Sequence, residues 1–331
     1  MAPMASKNNV AEADASEFGA YEFTGAAFTV ATSIIITTSV FSAILHIMFM
    51  KAIRKHCGWK SDFAFTILFS MSLNSLMYFT IEFTATIMAV AKIDQQQHFV
   101  LLRVTGTLMI CPFFMIAPLH ILLALHRFVF TLFPVSARSL VTKRLSMMCL
   151  GVLAAYCIFF AMITMSSLMG FVYDPIYLAC SPLDLPYSDV LYLLNQVNNY
   201  IGVFLHVGVY SFIFAVLIYK GNIDLRNNNN IRMTAQVSVM VVIEMFFFIY
   251  WTFCARNPGP IAAIVDELSN LLYFDAIILP YIFLNKSVRA RFGTNWANRT
   301  RTEATAVRSS PKTAFVTTVC NISPIGSRSA A

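Results

Sequence analysis

Long apolar runs separated by short polar stretches dominate the chain and set its expected architecture. Seven runs qualify as bilayer spans: Ala26–Met50, Phe63–Ala91, Phe99–Leu125, Leu145–Gly170, Leu191–Tyr219, Thr234–Phe253 and Ile261–Asn285. Crossing hydrocarbon as a helix takes about 20 apolar residues. None of the runs alternates with period two, so the pattern predicts helices and excludes a barrel. No internal repeat and no inverted halves are visible.

The expected fold is therefore an all-α membrane protein: a seven-transmembrane helix bundle over residues 26–285, preceded by an N-terminal tail, 1–25. Beyond the last run, Leu284, Val288, Phe292 and Trp296 recur every four residues among Lys286, Arg289 and Arg291. That spacing predicts a short amphipathic helix on the membrane surface over 286–299. Gly293 weakens it, and a frayed basic end of the seventh span is the other reading. Residues 300–331 hold 11 Ser/Thr among 32 and little apolar pattern, which predicts a disordered tail.

Charge orients the bundle. With the N-terminus outside, nineteen Lys and Arg fall on the cytoplasmic side and four outside (Lys7, Lys92, Arg103 and Arg256). The opposite topology would violate the positive-inside rule. The expected location is the plasma membrane, multi-pass, with an extracellular N-terminus and a cytoplasmic C-terminus. The sequons at Asn285, Asn298 and Asn321 then lie inside and should stay unmodified. The first 25 residues carry Glu12, Asp14, Glu17 and Glu22 and no apolar core, so no cleavable signal peptide is expected and the first span doubles as the insertion signal.

Composition agrees. Of 331 residues 58% are hydrophobic and 12% charged, about half the charged share of a soluble domain. The net charge of +7 is spread in short clusters between apolar runs, not gathered into a nucleic-acid patch. Seven cysteines show no paired spacing, so neither a zinc site nor a disulfide framework is expected.

Two short motifs carry a resemblance. The third span closes on Leu125-His126-Arg127-Phe128, with Pro134 seven residues after the arginine. The seventh closes on Pro280-Tyr281-Ile282-Phe283, then Leu284-Asn285-Lys286-Ser287-Val288-Arg289. The chain resembles rhodopsin-like G-protein-coupled receptors, and looks most like nematode chemosensory serpentine receptors of class T or class X, which share such endings and an Asn pair like Asn198-Asn199. The resemblance covers the first span to about Arg291. It implies a small-molecule ligand, a heterotrimeric G-protein partner, and kinase or arrestin contacts at the Ser/Thr-rich tail. It also implies activation roles for Asn74, Arg127, Pro134, Asp275, Pro280 and Phe283. Departures are plain: His126 stands for the usual acid, Leu279 for Asn and Phe283 for Tyr. No cysteine lies near Leu102, and Cys111 is about 18 Å along the helix from the third span's start, too deep to meet Cys180.

Ionisable residues inside spans mark functional sites by default, because hydrocarbon makes them costly. Glu82, Glu244 and Asp275 lie well within spans two, six and seven. Asn74 and Asp275 are expected to share a polar cluster, with water or a sodium ion, that repacks on activation; a static hydrogen-bonded pair is the alternative. The ligand-binding candidates are Glu82, Gln196, Asn199, Tyr250, Trp251, Glu267 and Asn270, in the outer helix halves. Glu267 and Asn270 are about 60° apart around a helix and can face one cavity. The amides could equally serve helix packing, and Tyr250 and Trp251 an interfacial belt. Arg127 alone could simply snorkel to the headgroups. Eight acids against four bases on the outer side tilt the ligand towards a cation, weakly in salt.

An enzyme is not expected: the six His are dispersed and no nucleophile or metal motif occurs. His120 and His206 fall within spans, but no acid near them in sequence completes a ligand pair. No cofactor and no nucleic acid are expected. A transporter or a seven-span ligand-gated channel is the competing class; an odd span count without mid-span Gly-Pro interruptions argues against the first, and the outward N-terminus against the second.

Overall fold

The computed structural model describes residues 22–57, 63–133, 136, 142–219, 229–253, 259–285 and 288–289. Pro134, most of the 286–299 segment and the 300–331 tail lie outside the described residues. The elements are helices α1 (Gly25–Cys57), α2 (Phe63–Val90), α3 (Phe99–Leu132) and α4 (Lys143–Thr164), then a hairpin of β1 (Phe171–Asp174) and β2 (Ala179–Pro182). Helices α5 (Ser188–Tyr219), α6 (Asn229–Phe253), α7 (Pro260–Ala276) and the six-residue α8 (Leu279–Leu284) follow among the described residues.

Five of the helices, α1 to α5, are long and apolar enough to cross a membrane. In α6 the apolar stretch among the described residues is Ser238–Phe253. Helix α7 is broken off from α8 at residues 277–278. Pro280 explains the break: it has no N–H for the carbonyl of Ala276, and its ring crowds that carbonyl. The uninterrupted seventh run expected to Asn285 is thus two pieces. The fourth run likewise ends at Thr164, short of the expected Gly170, and the third runs on to Leu132.

Local chemistry accounts for the other boundaries. Lys92 adopts a left-handed φ of 53° just past the end of α2. Asp94 Oδ1 then accepts from the amides of Gln96 and Gln97, forming the turn that leads into α3. Thr142 caps α4 by accepting from the Leu145 amide. Pro260 opens α7, where a missing N–H costs nothing. Pro112 and Pro118 are both accommodated inside α3, which continues through them.

Packing closes a ring. Helix α1 packs on α2 and α7, α2 on α3, α3 on α5, α5 on α6, and α6 on α7 and α8; α4 lies outside, against α3. Tyr78, Phe113 and Phe274 form an aromatic group in the interior, with Tyr78 and Phe274 stacked at 4.5 Å and Phe113 4.9 Å from Phe274. Polar groups sit inside this core, among them Ser42, His46, Asn74, Glu82, His120, His206, Glu244 and Asp275, while Phe41, Val152, Phe159, Phe204, Val242 and Phe246 are exposed. Such an apolar exterior suits hydrocarbon, not water. Three exposed hydroxyls follow the same logic: Thr37, Thr80 and Thr84 bond back to carbonyls four residues earlier, which satisfies their donors within the helix. The chain is a mostly helical protein of membrane type.

Candidate functional site

The hairpin roofs one end of the ring. β1 and β2 pair antiparallel with Tyr173 opposite Cys180. The hairpin lies on α3 at Gly106, where an added Cβ would stand 2.8 Å from backbone atoms of Val172 and Tyr173. Arg103, one turn earlier, donates to the carbonyls of Thr164 and Ser166, so it terminates α4 and anchors the loop behind it. The Cys180 thiol packs on Met109 and the Gly106 carbonyl. Cys111 belongs to a separate apolar cluster with Phe114, Phe160 and Leu191. Both cysteines are free.

Beneath the hairpin, the ligand-binding candidates divide into two groups. Glu82, Glu267 and Asn270 gather between α2 and α7: Glu267 bonds Asn270, and Tyr78 Oη donates to Glu267 across 3.4 Å. Glu267 and Asn270, expected to face one cavity, thus bond each other, and neither lines the cavity beside Asn199. Asn199 and Trp251 instead line a cavity of about 40 Å³ between α3, α5, α6 and α7. That is room for a few water-sized occupants. Trp251 Nε1 donates to Ser269 Oγ at 2.7 Å, fixing the indole edge-on to Tyr273 at 5.1 Å. Gln196 and Tyr250 do not line this cavity.

The floor of that cavity is the most concentrated chemistry among the described residues. His120 from α3 and His206 from α5 both meet Glu244 of α6. His120 Nδ1 contacts Oε1, and His206 Nδ1 lies 2.8 Å from Oε2. All three are buried, with 1%, 1% and 6% of their surface exposed. The two rings stand 5.3 Å apart. Sequence spacing hid the group, since 38 residues separate His206 from Glu244. The only signal available was that all three fall mid-span.

A second buried network joins α1, α2 and α7. Ser42 Oγ donates to Asp275 Oδ2 at 2.5 Å, His46 Nε2 lies 3.4 Å from Asp275 Oδ1, and His46 Nδ1 is 2.9 Å from Ser72 Oγ. Asn74 makes its bond elsewhere, donating to the Pro112 carbonyl at 2.9 Å. The expected Asn74–Asp275 pair is therefore not hydrogen-bonded. The partners of Asp275 come from α1, whose Ser42 and His46 were not singled out in the sequence.

At the end opposite the hairpin, Arg127 of α3 lies near enough to act electrostatically on the hydroxyls of Tyr210 in α5 and Tyr281 in α8. Tyr281 is buried at 1% exposure, whereas Phe283 is 63% exposed. Phe283, singled out in the sequence for an activation role, lies on the outside of the bundle. Two residues along a helix turn the side chain by about 200°, so with Tyr281 inside Phe283 must point out. Pro280 is buried, and its contribution is the break before α8.

No protein-family model matches the chain, and no curated protein matches it.

Proposed function

We propose that the protein is a seven-transmembrane chemosensory receptor of the rhodopsin-like kind, close to the nematode serpentine classes, which binds a small ligand and signals to a heterotrimeric G-protein. In this reading α6 and the α7–α8 pair complete the set of spans, the hairpin end faces outward, and Arg127 faces the cytoplasm of a plasma-membrane protein. The nineteen-to-four bias of basic residues supports that orientation.

The observation that carries the reading is the reach of one helix. Helix α3 lines the cavity with Phe113, Ala117 and His120, and seven residues further, about two turns, it brings Arg127 within electrostatic reach of Tyr210 and Tyr281. A ligand that repacks the cavity can thereby bias the contacts among α3, α5 and α8, and so the surface a G-protein meets. With a volume of about 40 Å³, the cavity must widen around Asn199, Trp251 and Tyr273 to admit an odorant-sized molecule. Phosphorylation of the Ser/Thr-rich tail would add negative charge for arrestin recognition.

The test is a panel of volatile and water-soluble compounds applied to transfected cells with a calcium or cAMP readout, beside an antibody to the N-terminus on intact cells. A response that Arg127→Ala abolishes at equal surface expression supports the receptor. An intact response in that variant, or an N-terminus reached only after permeabilisation, overturns it.

A further inference from the structure

We propose that His120, His206 and Glu244 form a binding site for a divalent transition metal, zinc foremost, that ties α3, α5 and α6 together inside the bundle. One ligand atom from each residue lies within 4.8 Å of the other two. The site stands on the helix geometry alone and does not depend on the receptor reading.

The donor set points to the metal. Two imidazole nitrogens and one carboxylate oxygen are the ligands that zinc takes when its fourth position is left to water or an incoming group. Imidazole favours zinc, copper and nickel over magnesium or calcium, which want oxygen. Facing helices of a bundle are also where such sites are built, each helix contributing a side chain to the interior. The open position would face the cavity, whose walls include Asn198 and Asn199 as well as the three ligands.

Hydrogen bonding within the protein does not account for the cluster. Both Nδ1 atoms are spent on one carboxylate. The Nε2 atoms of both rings are buried and meet no hydrogen-bond partner. When Nδ1 carries the proton, Nε2 presents a bare lone pair in a place without water, which is costly. A metal ion would take up one nitrogen lone pair from each ring together with a carboxylate oxygen, so that Glu244 serves as a ligand and not as a supporting acceptor. The alternative is a plain histidine–carboxylate pair with no affinity for metal.

The experiment uses the full chain, freed of any polyhistidine tag, purified in detergent and stripped with a chelator. Zinc chloride is titrated in, excess metal removed, and bound zinc counted; thermal unfolding is followed with and without zinc. The expected result is one zinc per chain, and an unfolding temperature raised by zinc in the parent. His206→Ala and Glu244→Gln should each lower the affinity by more than the roughly 10–100-fold that loss of a supporting hydrogen bond costs, and abolish the zinc-dependent shift. Cobalt in place of zinc should give the intense visible bands of a low-coordinate site, absent from both variants. His98→Ala serves as the control and should change nothing. Should His206→Ala not yield folded protein, Glu244→Gln decides, since its amide keeps the size of the side chain. A parent that binds no zinc, or a Glu244→Gln protein that binds it as tightly as the parent, overturns the proposal.

Discussion

Gly106 and Tyr173 approach so closely that a single methyl group would not fit between them: a Cβ on the glycine would lie 2.8 Å from the amide nitrogen of the tyrosine. The contact presses the hairpin onto α3 and so closes the bundle over Tyr78, Glu82 and Glu267. Gly106→Ala must displace backbone on both sides, at a cost of about 1–3 kcal/mol. Gly151→Ala, with nothing within 4 Å, should change stability by less than about 1 kcal/mol. Thermal unfolding of the two variants in detergent, side by side, checks the difference.

The Ser42–Asp275–His46 network makes a second expectation. Asp275→Ala leaves the buried Ser42 hydroxyl without its acceptor and removes the carboxylate beside His46, which should cost about 1–3 kcal/mol. Asp275→Asn retains an oxygen for Ser42 and should lose less. Equal destabilisation by the two would show that hydrogen bonding to Ser42 contributes nothing.

Tyr281 and Phe283 should respond in opposite ways. Truncating the buried tyrosine to Ala should cost about 3–5 kcal/mol, the range for large aromatic side chains in cores. Phe283→Ala removes an outward side chain and should stay within about 0.5 kcal/mol. Unfolding in detergent measures both, and a larger effect at Phe283 would contradict the placement of α8.

Cys180 supplies a pH dependence. Burial, reinforced by the carboxylates of Glu82 and Glu267, pushes its thiol well above the ordinary range. A raised value means less thiolate at any given pH, and the thiolate is the species that alkylates. Maleimide labelling of Cys180 in the native protein should therefore be slow near neutrality and rise only at more alkaline pH than in the denatured chain. Peptide mapping by mass spectrometry after timed labelling gives the two profiles, and coincident profiles would exclude the buried thiol.

Much of the helical layout was legible because hydrocarbon demands it: runs such as Phe63–Ala91 and Leu191–Tyr219 predicted α2 and α5 to within a few residues. Where the prediction erred, a local interaction had overruled length. Pro280 cut α7 from α8, and Arg103 gathered the carbonyls of Thr164 and Ser166 that would have begun another turn of α4. The 3.6-residue period put Glu267 and Asn270 on one side of α7, where they bond each other, but neither lines the cavity beside Asn199.

Partners on different helices were another matter. Apolar content, basic loops and helical period belong to the chain itself, and from them came the long apolar helices and the buried ionisable positions. Which buried groups meet was settled only by the rotation and depth of each helix in the ring. Helix packing aligned His120, His206 and Glu244, gave Asp275 to Ser42 and His46 rather than Asn74, and turned Tyr281 inward. Those angles arise from side-chain interlocking over many contacts, each worth only about 0.1–0.2 kcal/mol, and no spacing along the sequence encodes their sum.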